Sequence, residues 1–296
     1  MSSRGPRQVL GGLRVQEAMR RLVTRLPSTA PLSEACRTMI KYKVNAVLVT
    51  EGPQQPVGVV SKTDLMTAYY AGLPLGTTVA QIMVGPPRYC HPEDTLDAAL
   101  DQMREYGIHR LYVTLSPGEP VCGVLAYPDI VGILYRFCLR CDRSLRRRGQ
   151  QADRPAWAGQ FSVREVMTPN IYVLPAEASL WEVMGGLATY KFGAVLLAAA
   201  DGRPVGVVSK TDLILAYLHG LSPEVPARTI MSTPVLTCQQ DEPLLDVIQR
   251  LIFLDLHRIF VFQDEPANLV GVLSLSDAAR FRSGSCRACL ASRISP

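Results

Sequence analysis

The sequence lacks what a membrane protein or a secreted precursor would show. No uninterrupted apolar run approaches the ~20 residues needed to cross a bilayer. The polar, basic residues 1–8 are followed by no apolar signal-peptide core. The expectation is a cytoplasmic protein with no membrane partner. Fingerprints of common chemistries are missing too: there is no nucleophile elbow, P-loop or dinucleotide-binding glycine pattern. An enzyme is therefore not expected. Helix-turn-helix, zinc-finger and aromatic-basic RNA motifs are also missing. Charge is sparse, at 19% of residues, with a net value of +5. What remains is apolar: 48% of 296 residues, enough for the cores of two ordinary domains and too much for a disordered chain.

The positive charge gathers in residues 136–154, where Arg136, Arg140, Arg143, Arg146, Arg147, Arg148 and Arg154 face only Asp142 and Asp153. Such a run can touch nucleic acid, anionic lipid or an acidic protein. With no accompanying nucleic-acid motif, a solvated linker is the favoured reading and nucleic acid is not expected as a partner.

The most informative feature is self-similarity. The nonapeptide from Val57 to Leu65, Val-Gly-Val-Val-Ser-Lys-Thr-Asp-Leu, recurs unchanged from Val205 to Leu213, an offset of 212 − 64 = 148. The same offset carries Val15-x-Glu17-x-Met19 onto Val163-x-Glu165-x-Met167, and Ile82-Met83 onto Ile230-Met231. It carries His109-Arg110 onto His257-Arg258, Asp129 onto Asp277, and Cys138 and Cys141 onto Cys286 and Cys289. Each half repeats again at a spacing of 129 − 64 = 65 and 277 − 212 = 65. The chain thus reads as two duplicated halves, 1–148 and 149–296. Their four modules lie at about 13–72, 77–137, 161–220 and 225–284, with a Cys-x-x-Cys pair after the second and the fourth.

One module predicts a small α/β unit. An apolar helical period over residues 32–42 precedes a strand at 46–50, a Gly/Pro-rich turn and a second strand at 57–60. Ser, Thr and Asp then open a helix over 64–70, which Gly72 ends. The order helix-strand-strand-helix leaves one sheet face uncovered, which explains why modules come in pairs.

Two patterns carry a resemblance. One is Gly-h-h-Ser-x-x-Asp (h, apolar) at Gly58 to Asp64, Gly206 to Asp212 and Gly271 to Asp277. The other is His-Arg before an apolar strand, at His109-Arg110 and His257-Arg258. Over nearly its whole length the chain resembles cystathionine-β-synthase (CBS) domain proteins, and within them the nucleotide-sensing γ subunits of AMP-activated protein kinase. That resemblance implies an α/β (α+β) fold of two CBS pairs in a pseudo-twofold disc, with adenine nucleotides in clefts between paired modules.

The residue chemistry fits that implication. Asp64, Asp212, Asp277 and Asp129 at helix starts can accept hydrogen bonds from vicinal ribose hydroxyls. Ser61, Thr63, Ser209, Thr211, Ser274 and Ser276 sit at helix N-termini, where free N–H groups favour phosphate. Arg110 and Arg258 can grip phosphate in a fork, with His109 and His257 as further donors, and Lys62 and Lys210 can reach it as well. The competing reading of the Ser, Thr and Asp residues is ordinary helix capping. Three near-complete copies beside two His-Arg pairs favour a ligand. His91 and His219 lack the pattern and read as surface residues. The second module departs from it. Ala126-Tyr127-Pro128-Asp129 has lost both hydroxyls, so unequal sites are expected there.

Cys138-x-x-Cys141 and Cys286-x-x-Cys289 stand apart from the CBS pattern. If the halves pack symmetrically, four thiolates can meet to hold zinc or an iron–sulfur cluster, or form redox-active disulfides. Cys36, Cys90, Cys122 and Cys238 read as packed thiols. The function expected is a stand-alone sensor of AMP, ADP, ATP or an adenosyl compound that signals to a regulated protein, with a homodimer open to it through disc packing. Two alternatives remain: a metal- or redox-responsive scaffold acting through the Cys-x-x-Cys pairs, and a nucleic-acid binder using the Arg-rich linker.

Overall fold

The computed structural model describes residues 13–52, 55–116, 118–140, 162–190 and 192–281. A single helical turn, α1 (Val15–Ala18), leads into four modules of one design. The first is β1 (Arg25–Pro27), α2 (Leu32–Lys41), β2 (Ala46–Glu51), β3 (Gln55–Ser61) and α3 (Lys62–Tyr70). The second is β4 (Tyr89–Cys90), α4 (Leu96–Glu105), β5 (Arg110–Val113), β6 (Gly123–Ala126) and α5 (Tyr127–Arg140). The third is β7 (Val173–Pro175), α6 (Leu180–Tyr190), β8 (Ala194–Ala198), β9 (Pro204–Ser209) and α7 (Lys210–Leu218). The fourth is β10 (Thr237–Gln239), α8 (Leu244–Phe253), β11 (Arg258–Phe262), β12 (Leu269–Ser274) and α9 (Leu275–Phe281).

Each module folds a three-stranded sheet in sequence order. The first strand runs parallel to the second across a helical crossover, and the second pairs antiparallel with the third. The sequence predicted only the second and third strands. The first is two or three residues long, too short for an alternating pattern to show. The crossover helices form because their apolar residues share one face. Leu32, Ala35, Cys36 and Met39 of α2 are buried, as are Leu244, Val247, Ile248 and Leu251 of α8. The middle strands are buried almost throughout, as expected of strands flanked on both edges. No helix among the described residues is long and apolar enough to cross a membrane.

The four copies of the repeated glycine share a packing role. A Cβ on Gly58, Gly123, Gly206 or Gly271 would stand 2.5–2.7 Å from the sulfur of Met83, Met19, Met231 or Met167, respectively. In each case the methionine-bearing segment bridges to the module's third strand: Val84 to Val59, Arg20 to Val124, Ser232 to Val207, and Thr168 to Val272. The glycine is needed for close approach here, and the methionines recur because they fill the same gap.

The modules gather into two compact units that alternate along the sequence. Among the described residues, one is drawn from 13–21, 88–170 and 237–281, and the other from 22–87 and 171–236. Each unit thus combines equivalent modules of the two halves. The first unit has one continuous core running from Leu100, Leu111 and Leu125 to Leu251, Val261 and Leu273. The second has its own, from Leu65, Val47 and Val60 to Leu213, Val195 and Val208. Within the second unit α3 packs on α7 with a local twofold relation: Tyr69 and Tyr217 stack with ring centroids 4.9 Å apart. The Tyr69 hydroxyl donates to the Leu221 carbonyl, and the Tyr217 hydroxyl donates to the Leu73 carbonyl.

Candidate nucleotide-binding site

The Ser-x-x-Asp motif lies where a strand hands over to a helix. Ser61 is the N-cap of α3 and Ser209 the N-cap of α7, both with extended backbone. The aspartate three residues on turns back to the cap. Asp64 Oδ2 accepts from the Ser61 N–H at 2.6 Å and from the Ser61 hydroxyl at 2.7 Å. Asp212 Oδ2 does the same with Ser209, both at 2.7 Å. Asp277 Oδ2 repeats it with Ser274, at 2.9 and 2.6 Å. This is a reciprocal capping box, so the capping role and the candidate binding role share one carboxylate. They use different oxygens. Among the described residues, Oδ1 of Asp64 and of Asp277 accepts no hydrogen bond. Oδ1 of Asp212 is reached, among them, by the Ser232 hydroxyl at 3.4 Å.

In the unit holding modules one and three, the two motifs come together. Lys62 Nζ donates to Thr211 Oγ1 at 2.8 Å, and Lys210 Nζ donates to Thr63 Oγ1 at 2.9 Å. Two lysines and two hydroxyls thus meet at paired helix N-termini, an arrangement that concentrates positive potential.

In the unit holding modules two and four, each His-Arg pair opens a middle strand beside its module's aspartate. Arg110 lies opposite Ala126 across the β5–β6 pair, and Arg258 opposite Ser274 across β11–β12. Burial pushes the Arg258 guanidinium down to about 10, against the pull of Asp277. Burial lowers Arg110 in the same direction, opposed by Tyr112, to which it is hydrogen-bonded, and by Asp129. A guanidinium held in a site that disfavours its charge gains from an arriving anion. His109 and His257 are exposed at the strand entrance; the His109 ring meets Tyr127 edge-on at 5.6 Å. In module four Ser274 and Ser276 share a hydroxyl hydrogen bond of 2.8 Å.

Module two is built differently. Among the described residues, Asp129 Oδ2 accepts from the Ala126 N–H at 2.9 Å, and Asp129 Oδ1 is paired with Arg20 Nε at 2.9 Å. Burial raises the Asp129 carboxyl, and Arg20 pulls it back down. Arg20 was not among the residues singled out from sequence. The signal for it was present in the repeat, where the offset that matches Met19 to Met167 sets Arg20 against Thr168.

Cys141, Cys286 and Cys289, and the side chain of Cys138, lie outside the described residues, as does the Arg-rich run beyond Arg140. The zinc or iron–sulfur expectation falls there. Among the described residues no cluster of His, Cys, Asp and Glu is arranged to hold a metal. Cys36, Cys90 and Cys238 are buried free thiols, and Cys122 is half-buried and donates to the Val113 carbonyl.

Four strand-helix modules with a capping aspartate at each helix start define a class, and comparison with known proteins gives its name. Residues 15–71, 79–136, 163–219 and 227–284 each match the CBS domain model, and the chain belongs to the CBS domain family. The subunit gamma-3 of 5'-AMP-activated protein kinase from Sus scrofa is 26% identical over 200 residues, covering 63% of this chain and 36% of that protein. An uncharacterised protein of Methanopyrus kandleri is 26% identical over 121 residues, covering 40% of this chain and 59% of its own length. Among solved structures, a Methanocaldococcus jannaschii protein proposed as an archaeal homologue of γ-AMPK superposes with a TM-score of 0.74 at 15% identity. It covers 91% of this chain and 99% of that one. An uncharacterised conserved protein of Pyrococcus horikoshii matches with a TM-score of 0.59 at 18% identity over 91% of this chain. These two establish a shared fold.

Proposed function

We propose that this chain is a regulatory, non-catalytic sensor of adenine nucleotides or a related adenosyl compound, acting in the cytoplasm on a partner protein. The observation that carries the reading is the carboxylate with one oxygen committed to the helix cap and the other without a short hydrogen bond among the described residues, in modules one, three and four. Such an oxygen can accept from a ribose hydroxyl without undoing the cap. Lysines, hydroxyls and half-buried arginines of the same units supply phosphate contacts. The gamma-3 relative is named for a kinase that AMP activates, which supports the ligand class; the chain covers only 36% of that protein, so its place in a kinase complex is not part of the proposal. Signalling requires that the partner distinguish liganded from empty chain, because a ligand shifts a conformation only by its differential affinity.

Equilibrium binding of AMP, ADP, ATP, S-adenosylmethionine and GTP tests this. An adenine compound is expected to bind and GTP to bind at least tenfold more weakly. Asp64→Asn and Asp212→Asn should each cost about tenfold in affinity at their own sites, the equivalent of ~1.4 kcal/mol for a lost hydrogen bond to a charged acceptor. Equal binding of GTP and AMP, or no binding at all, would refute it.

A further inference from the structure

Module two differs from the other three at its aspartate. Its aspartate has both oxygens engaged, Oδ2 by the Ala126 N–H and Oδ1 by the Arg20 guanidinium. The side chain of Asp129 is 11% exposed and that of Arg20 46%, so the carboxylate lies beneath the guanidinium that pairs with it. The backbone gives no reason for the difference. The N–H and C=O of Arg20 exchange hydrogen bonds with Val124 at 2.9 Å, and those of Thr168 do the same with Val272 at 2.9 Å. Positions 20 and 168 are therefore the same place in the fold. What changes is reach, since an arginine at that place spans to the aspartate and no hydrogen bond joins Thr168 to Asp277. The two hydroxyls that would accompany a phosphate, Ser274 and Ser276 in module four, are replaced here by Ala126 and Pro128.

We propose that Arg20 is a built-in occupant of the ribose position of module two, closing it to adenosyl ligands and leaving module four as the binding site of this unit. The inference rests on the reading of the capping aspartates as ribose acceptors. A ribose diol brings two neutral donors. To bind Asp129 it must displace a charge-assisted bond and leave the guanidinium without its carboxylate, beside the half-buried cation of Arg110. The exchange is unfavourable without a phosphate partner to receive Arg20, and the hydroxyls that would hold such a phosphate are missing. Thr168 imposes no such barrier on Asp277.

The test counts AMP bound at saturation to the full chain, by calorimetry or equilibrium dialysis, in wild type and in two exchanged variants. Arg20→Thr should gain one equivalent of AMP, held through its ribose and so more weakly than at module four, and that equivalent should vanish when Asp129→Ala is added. Thr168→Arg should lose one equivalent. Melting curves establish that each variant is folded, and the second variant keeps the proposal testable if the first is unstable. An Arg20→Thr chain that folds and binds the wild-type number of equivalents overturns the role of Arg20. So does a folded Thr168→Arg chain that keeps them all. A wild type that binds no adenosyl compound overturns the sensor reading itself, and this inference with it.

Discussion

Glycine 271 has little room to be anything else. An added Cβ would stand 2.7 Å from the Met167 sulfur and 2.9 Å from the Thr168 carbonyl oxygen. Gly271→Ala is expected to destabilise the protein by about 1–3 kcal/mol through overpacking. Adding Met167→Ala should recover only part of it, because the carbonyl contact remains; a double-mutant cycle in denaturant measures the recovery. Ser61→Ala removes a cap side chain and should cost ~1 kcal/mol. The buried thiols give a chemical check. Burial pushes Cys36, Cys90 and Cys238 each up to about 12. At pH 8 only ~10⁻⁴ of each is thiolate, so iodoacetamide should leave all three unmodified in the native chain and alkylate them once it is unfolded. At this scale Ser-x-x-Asp was legible from sequence because cap and aspartate are three residues apart. The Arg20–Asp129 pair was not, because its partners meet only after two distant segments have folded.

The elements themselves were largely readable. The helix expected over 32–42 is Leu32–Lys41, and the strand expected at 46–50 is Ala46–Glu51. Gly72 and Gly220 end α3 and α7 with φ of +70° and +67°, values that glycine adopts at no steric cost. The helix expected to open at residue 64 opens at Lys62, since the capping box places its N-cap on Ser61. The short leading strands escaped because parallel pairing with a distant middle strand, not local pattern, creates them. Packing between elements sets the largest energies. Leu213 of α7 is fully buried in a core that includes α3, and Leu213→Ala is expected to cost about 2–5 kcal/mol, read from the midpoint of urea unfolding.

On the scale of the whole chain, duplication was plain in the sequence, and the grouping of modules was not. A repeat offset says that modules are alike without saying which ones share a core. Each core here draws on both halves of the chain. A fragment of residues 1–148 would expose the faces that the second half covers. It is expected to run as a dimer or larger species in size-exclusion chromatography, because a second copy can supply the equivalent modules. A well-folded monomeric fragment would contradict the interleaved cores.

The folded chain is expected to bind an adenosyl compound through its capping aspartates. Thermal unfolding of the reduced, purified protein with and without AMP, ADP, ATP and S-adenosylmethionine tests it most directly. A ligand at a hundred times its dissociation constant should add ~2.7 kcal/mol per site and raise Tm by several degrees. That rise is expected for at least one adenine compound, with a clearly smaller one for GTP at the same concentration and a smaller one in Asp64→Ala and Asp212→Ala. A melting curve that no adenine compound moves, or one that moves equally in the aspartate variants, would contradict it.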